Sequence, residues 1–375
     1  MQKAVVFNKY LKGLGGGERS TFAYARALKE LGFEVEVVST NTLPDVEGIS
    51  QSFGAEFGEI PMRYSAINEF LAGLRESPPD VFVNHSFKDF TPNYGKIGIY
   101  SQMFPTVRIS RRNQPKEVEA LQSYDLLFNN SSFTKRYTDI LWDYPPEQSH
   151  VLHPPIGDDM IARARALRTA SVKKEKLLIG IGRFNVFPTN KNQKLLIECF
   201  LEARERCPAL GDWKLLLVGN CNPDEESNSY LNECIELAGH SAGAVEIATG
   251  LPHGALGESL QRSFGYVHAC GAFYPPGEEP HRCEHLGLSI VEGMAHGCIP
   301  LVYARGGIFD ILDVATAGIA FATREGLVDG FLQFPVQWEE SEHGRVQRAL
   351  GEMALQLEFA AFKEKLGGYL KNFAL

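Results

Sequence analysis

Short, largely apolar runs recur along this chain at residues 4–7, 35–38, 81–83, 126–128, 177–181, 215–218, 245–247, 266–268 and 299–302, with helical periodicity between them. A strand wetted on one face alternates apolar and polar side chains. A run that is apolar throughout belongs to a parallel sheet covered on both faces, and parallel neighbours are joined by crossover helices. Residues 18–31 show such a helix, with Phe22, Ala25, Leu28 and Leu31 on one stripe and Gly32 as a C-cap. The pattern predicts an α/β fold of doubly wound, Rossmann-like sheets. At 375 residues, and with about 150 residues per domain, two domains are expected, each able to bury its own core. Pro154-Pro155-Ile156-Gly157 and the charged stretch that follows read as a hinge over residues 154–176. The first domain is expected at 1–165 and the second at 172–350, with a last helical segment, about 355–375, crossing back to the first. Ligands of such sheets bind beyond the carboxyl ends of the strands, so the site is expected in a cleft between the two domains.

Composition narrows the function classes. Hydrophobic residues make up 44% and charged residues 22%, as in a soluble globular protein. No apolar run approaches the roughly 18 residues of a membrane helix. The first residues read as a strand rather than a signal peptide, so a cytoplasmic location is expected. Seven cysteines lie in the second half, odd in number and without a Cys-x-x-Cys pair, which suggests neither a disulfide frame nor a zinc site. A net charge of −9 argues against a nucleic-acid partner, which requires a strongly basic surface. Arg108, Arg111, Arg112 and Lys116 form a local basic patch. It reads first as a solvated face, and second as a weak peripheral contact with anionic lipid at the inner membrane face.

Three segments carry the chemistry. In Glu284-His-Leu-Gly-Leu-Ser-Ile-Val-Glu292 two carboxylates flank a turn that opens into a helix near Gly287. The free N–H groups of that helix end suit a phosphate or sugar oxygen, and Glu292, one turn in, can accept two hydrogen bonds from a ribose diol. The loop after strand 177–181 brings Arg183 and Lys191, two cations suited to the charge that a leaving diphosphate develops. Lys12-Gly-Leu-Gly15-Gly16-Gly17-Glu18 joins the first strand to the first helix. Its glycines permit close backbone approach to an anion, but its spacing and the Ser39-Thr40 end of the second strand fit a dinucleotide fingerprint poorly. His85 ends the strand Val81-Phe-Val-Asn84, where it could donate to a sugar hydroxyl or serve as a satisfied structural side chain. The chain contains no Asp-x-Asp pair to hold a bridging divalent ion.

Taken together, these segments resemble the retaining glycosyltransferases of the GT-B fold, the large family 4 group. The likeness runs through Gly15-Gly16-Gly17-Glu18-Arg19, Asp80 to His85, Asn129 to Lys135, His153-Pro154-Pro155, Gly182-Arg183, Lys191-Asn192, Val218-Gly219, the E-x7-E pair Glu284 and Glu292, and Gly306-Gly307. The resemblance implies GT-B architecture, two Rossmann-like domains facing across a cleft. It implies that Gly15, Gly16, Arg183 and Lys191 hold the donor diphosphate and Glu292 the ribose. Glu284, with Leu286, Gly287 and Leu288, would hold the transferred sugar, His85 would contact that sugar, and the loop at Leu251 would frame the base. His85, Glu284, Arg183 and Lys191 are the implied catalytic residues. The chain departs from the family in a longer Arg183-to-Lys191 interval and in an insertion over residues 274–283.

The expected activity is a metal-independent, cofactor-free hexosyltransferase. It would use a nucleoside-diphosphate sugar and a sugar, polysaccharide or lipid-linked acceptor in glycan, polysaccharide or glycolipid biosynthesis. Three alternatives are a glycosidase with Glu284 and Glu292 as its carboxyl pair, a non-catalytic sugar-nucleotide sensor, and a sugar-nucleotide epimerase on the same fold.

Overall fold

A computed structural model describes residues 1–11, 15–53, 57, 59–187, 189–274, 279–339 and 343–373. The chain divides into two compact units, Met1–Asp158 with Leu357–Leu375, and Asp159–Gln356.

In the first unit, strands β1 (Lys3–Phe7), β2 (Glu34–Ser39), β3 (Met62–Tyr64), β4 (Val81–Asn84), β5 (Ile97–Gln102), β6 (Leu126–Asn129) and β7 (Ser149–Val151) form one parallel sheet. Its order is β3-β2-β1-β4-β5-β6-β7. Alternate side chains of each strand enter opposite cores, as the period of two requires. Ala4, Val6, Val81, Val83, Ile97 and Ile99 lie in one apolar cluster. Val5, Phe7, Phe82 and Tyr100 lie in the other. The helix Gly16–Glu30 covers the first face through Phe22, Ala25 and Leu28. Beside it packs the late helix Phe359–Leu370. The rings of Phe362 and Tyr24 meet edge to face with their centroids 5.2 Å apart, Arg26 lies 3.9 Å over the Phe359 ring, and Lys363 pairs with Glu30 at 2.7 Å.

In the second unit, β8 (Glu175–Ile181), β9 (Lys214–Val218), β10 (Val245–Ala248), β11 (Ser263–His268), β12 (Ile299–Tyr303) and β13 (Ile319–Phe321) form a parallel sheet of order β10-β9-β8-β11-β12-β13. The helix Leu288–Ala295 lies close on β11 because Gly293 has no side chain, and a Cβ there would come 2.6 Å from the Tyr266 ring. Buried Lys174 gathers carbonyls at the ends of two helices, donating to Gln261 O at 3.1 Å and His296 O at 2.6 Å. Three of the strands absent from the apolar-run pattern, β3, β7 and β13, are three-residue edge strands. The fourth, β5, is interior, and its run Ile-Gly-Ile-Tyr-Ser-Gln is broken by Gly98 and by polar Ser101 and Gln102. Among the described residues, no helix is long and apolar enough to cross a membrane.

Candidate functional site

In the second unit the loops after β8, β9, β11 and β12 converge at the carboxyl edge of the sheet. Gly182 N donates to Val218 O at 2.9 Å, and a Cβ on Gly219 would sit 2.0 Å from Gly182 O, so the loops after β8 and β9 touch backbone to backbone. Gln193, the first residue of the helix Gln193–Arg206, donates to the carbonyls of Gly182 and Arg183. This fixes the main chain of Arg183 while its side chain is exposed. Pro188, within the Arg183-to-Lys191 interval, lies outside the described residues, as do residues 275–278 of the insertion.

The structure brings Lys191 and Glu284 together: Lys191 Nζ donates to Glu284 Oε2 at 2.6 Å, with the side chains 25% and 18% exposed. His268, at the end of β11, places Nε2 3.1 Å from the same Oε2, close but not aligned as a hydrogen bond. The Cys270 N–H donates to His268 Nδ1 at 3.3 Å, so the neutral ring carries its proton on Nε2, facing the carboxylate. Burial lowers the pKa of His268, and the attraction of Glu284 only partly opposes this. For Glu284, burial alone would raise the carboxyl, but Lys191 and then His268 outweigh it and hold it well below the ordinary range. Burial also opposes the charge on Lys191, yet the Cys270 sulfur at 3.7 Å and the Glu284 carboxylate leave its pKa raised. Burial pushes the Cys270 thiol up to about 12. At neutral pH it is therefore an uncharged thiol, and the carboxylate carries the attraction.

The main chain of Glu284 is pinned from the other side. Gly307 N donates to Glu284 O at 2.9 Å, and Gly306, at φ 126°, would drive a Cβ to 2.5 Å from that oxygen. Gly287, at φ 90°, caps the helix Leu288–Ala295 with no side-chain partner for its end, and a Cβ there would press on Glu284 Cγ at 3.2 Å. Leu286 is buried, whereas Leu288 and Glu292 are half-buried, Glu292 one turn into the helix. Leu251 lies in the loop after β10, which Gly250 N ties to Asn220 Oδ1 at 2.9 Å. Among the described residues, no group of three or more His, Cys, Asp or Glu side chains is placed to hold a metal ion.

In the first unit Gly15 precedes the helix Gly16–Glu30, and its N–H donates to Glu18 Oε2 at 3.1 Å. Lys12, Gly13 and Leu14 of the glycine-rich turn lie outside the described residues. His85 is 3% exposed. Its Nε2 faces Gly17 O at 3.1 Å and its Nδ1 faces Ser101 Oγ at 2.8 Å. A carbonyl only accepts, so Nε2 carries the proton and Nδ1 accepts from the serine hydroxyl. Burial lowers the pKa to about 4, leaving a neutral imidazole. Arg108, Arg111, Arg112 and Lys116 are exposed.

His268 and Cys270 are the site residues that the motif reading passed over. The available signal was the one that singled out His85, a histidine closing an apolar strand.

Comparison with known proteins bears on this edge. The family model for glycosyl transferases group 1 matches residues 166–343, and the model for glycosyltransferase family 4 matches residues 14–159. The chain belongs to the family 4, group 1 glycosyltransferases, with the GT-B fold. A Mus musculus relative of this glycosyltransferase, named GDP-Man:Man(3)GlcNAc(2)-PP-Dol alpha-1,2-mannosyltransferase, is 27% identical over 238 residues, 62% of this chain and 42% of its own. The Neurospora crassa protein of the same name is 25% identical over 229 residues, 56% of this chain and 39% of its own. The glycosyltransferase thus spans about two fifths of the length of the curated relatives it matches. An Anabaena protein, Alr3699/HepE, crystallised in complex with UDP, has a TM-score of 0.73 to it at 13% identity, covering 99% of this chain and 100% of that one. This is a likeness of fold.

Proposed function

We propose that this glycosyltransferase moves a hexosyl residue from a nucleoside-diphosphate sugar to an acceptor hydroxyl, with retention at the anomeric carbon and without a divalent metal. The observation that carries the reading is the Lys191–Glu284 pair at the strand ends, 2.6 Å long and shared with His268, beside exposed Arg183 and the uncapped helix Leu288–Ala295. An ammonium has three donors, so Lys191 can hold Glu284 and still reach a phosphate oxygen. As the bond to the anomeric carbon breaks, charge grows on the diphosphate, and Arg183 and Lys191 stabilise it more in the transition state than in the bound donor. No protein nucleophile is assigned. The acceptor attacks from the face the diphosphate leaves, and a phosphate oxygen takes its proton, so the protein contributes position and charge.

Glu292 takes the ribose, Glu284 with Leu286, Gly287 and Leu288 takes the sugar, and Leu251 takes the base. Gly15, Gly16 and His85 join the donor contacts on the family resemblance. Both ring nitrogens of His85 are engaged, so one of its partners must give way for it to touch the sugar. The relatives are named for GDP-Man and a dolichol-linked oligosaccharide, and the Anabaena protein holds UDP. We therefore take GDP-mannose and UDP-glucose as the first donors to try and a lipid-linked glycan as the acceptor class. A cytoplasmic enzyme with a weak membrane contact through Arg108, Arg111, Arg112 and Lys116 fits that acceptor.

Thermal shift with GDP, UDP, ADP and TDP identifies the base, since a ligand of the folded state raises its stability. Sugar transfer in the presence of EDTA, with retained anomeric configuration in the product, supports the reading. A donor that binds tightly and is never consumed overturns it.

A further inference from the structure

The two contacts on Glu284 fall on one oxygen. Lys191 Nζ and His268 Nε2 both address Oε2, and among the described residues Oε1 makes no hydrogen bond. A carboxylate free to rotate would exchange its oxygens, and one held by an ammonium alone could still pivot about that point. A second N–H on the same oxygen, from a ring that cannot move, removes the pivot. His268 meets that requirement: it is 4% exposed, its Nδ1 is held by the Cys270 N–H, and its ring lies parallel to that of Tyr266 at 6.5 Å. The same residue steadies both arms, because the Cys270 sulfur lies 3.7 Å from Lys191 Nζ while the Cys270 amide holds the imidazole.

The geometry assigns His268 as a positioning residue that, with Lys191, locks Oε2 of Glu284 and presents Oε1 to a hydroxyl of the transferred sugar. The assignment rests on the reading of Glu284 as the sugar contact and adds to it a neutral donor that touches no substrate. The 3.1 Å Nε2–Oε2 contact, off line in the free protein, is the one expected to align when a sugar hydroxyl pulls on Oε1.

Calorimetric titration of the full chain with GDP-mannose and GDP, or with UDP-glucose and UDP if that is the pair it takes, tests the assignment. His268→Ala is expected to weaken the sugar nucleotide about 10-fold and to lower kcat/KM by about 10- to 100-fold. Affinity for the bare diphosphate, which has no sugar hydroxyl to misplace, should stay within about 2-fold of wild type. A structural loss would weaken both ligands alike. His268→Gln can return an N–H toward Oε2 and is expected to recover most of the loss, whereas the shorter His268→Asn is not. These two variants carry the test if His268→Ala does not fold. Glu284→Ala should reproduce the loss, and the double variant should be no worse than Glu284→Ala alone.

Wild-type sugar-nucleotide affinity in His268→Ala, equal weakening of both ligands, equal behaviour of Gln and Asn, or losses that multiply in the double variant would each overturn the assignment while the sugar's place at Glu284 stands. Unchanged sugar-nucleotide binding in Glu284→Ala would overturn that place, and the role of His268 with it.

Discussion

At the end of β4 in the first unit, His85 gives one ring nitrogen to Gly17 O and takes Ser101 on the other, and its neighbours close on themselves. Asn84 donates to the Tyr124 hydroxyl at 3.2 Å, Tyr100 donates to Asp89 O at 2.9 Å, and Lys9 pairs with Asp89 at 3.3 Å. At the end of β11 in the second unit, the histidine at the corresponding strand end has one nitrogen satisfied and the other set beside a carboxylate that uses one of its two oxygens. Both edges come from the same strand–loop–helix plan, yet the first spends its hydrogen-bonding capacity internally and the second keeps some in reserve. A completed polar network fixes backbone. An incomplete charged one, held in a shielded site, is where a ligand gains most.

The sharpest way to break this contrast is Lys191→Ala. It should lower kcat/KM by about 1,000-fold, because it removes a cation from the developing charge. It should also destabilise the second unit by about 2 kcal/mol, less than the 3–5 typical of a fully buried pair, since both side chains keep some exposure. Steady-state kinetics and urea unfolding check the two halves. Arg183→Ala, at an exposed side chain that forms no ion pair among the described residues, should lower kcat about 100-fold with little change in KM or melting temperature. A loss confined to KM would place it in ground-state binding instead. Glu292→Ala should raise the donor Kd about 10-fold and leave kcat nearly unchanged, as expected for a uniform contact to the ribose.

The last prediction concerns pH and the closed edge. The folded-state pKa of His85 is about 4, below the ordinary 6.5, so the unfolded chain binds the proton first. Its contribution is complete above about pH 6.5 and is lost as the pH falls towards 4, at up to about 1.4 kcal/mol per pH unit for one proton. His85→Gln should flatten that slope in the first unit, read from urea midpoints between pH 7 and 4.5. His285 and His296, also held to about 4 by burial, give the same sign in the second unit. The depressed carboxyl of Glu284 behaves differently: its contribution is intact above the ordinary value of 4.5 and falls only below it.

Periodicity was enough to read most of the sheets, because a strand buried on both faces has few side chains it can carry. It failed where that constraint relaxes. The edge strands Met62–Tyr64, Ser149–Val151 and Ile319–Phe321 have one neighbour and three residues each. In β5, Gly98 stands where Asn93 packs against the backbone, and a Cβ would come 2.4 Å from that side chain, so a close contact was recorded as a missing apolar residue. In the site, Lys191 stood out as a cation in the loop between a strand and a helix and Glu284 as a carboxylate beside a turn that opens into a helix, and the fold brings them to 2.6 Å. His268 carried only the mark of a histidine closing an apolar strand. What distinguishes it is a carboxylate 16 residues away in sequence and 3.1 Å away in space, and separations of that kind exist only once the chain has folded.

The helix Phe359–Leu370 contributes Phe359, Phe362, Leu366 and Leu370 to the core of a unit whose other residues end at Asp158. Synthesis therefore delivers the last wall of that core only after the roughly 200 intervening residues, a delay of about 10–40 s at ordinary elongation rates. Throughout it, the ground beneath the absent helix, Tyr24 among it, stays bare to the ribosome's surroundings. The amino-terminal half is thus born waiting, and a circular permutant that moves residues 357–373 ahead of Met1 would let it close before the second half emerges.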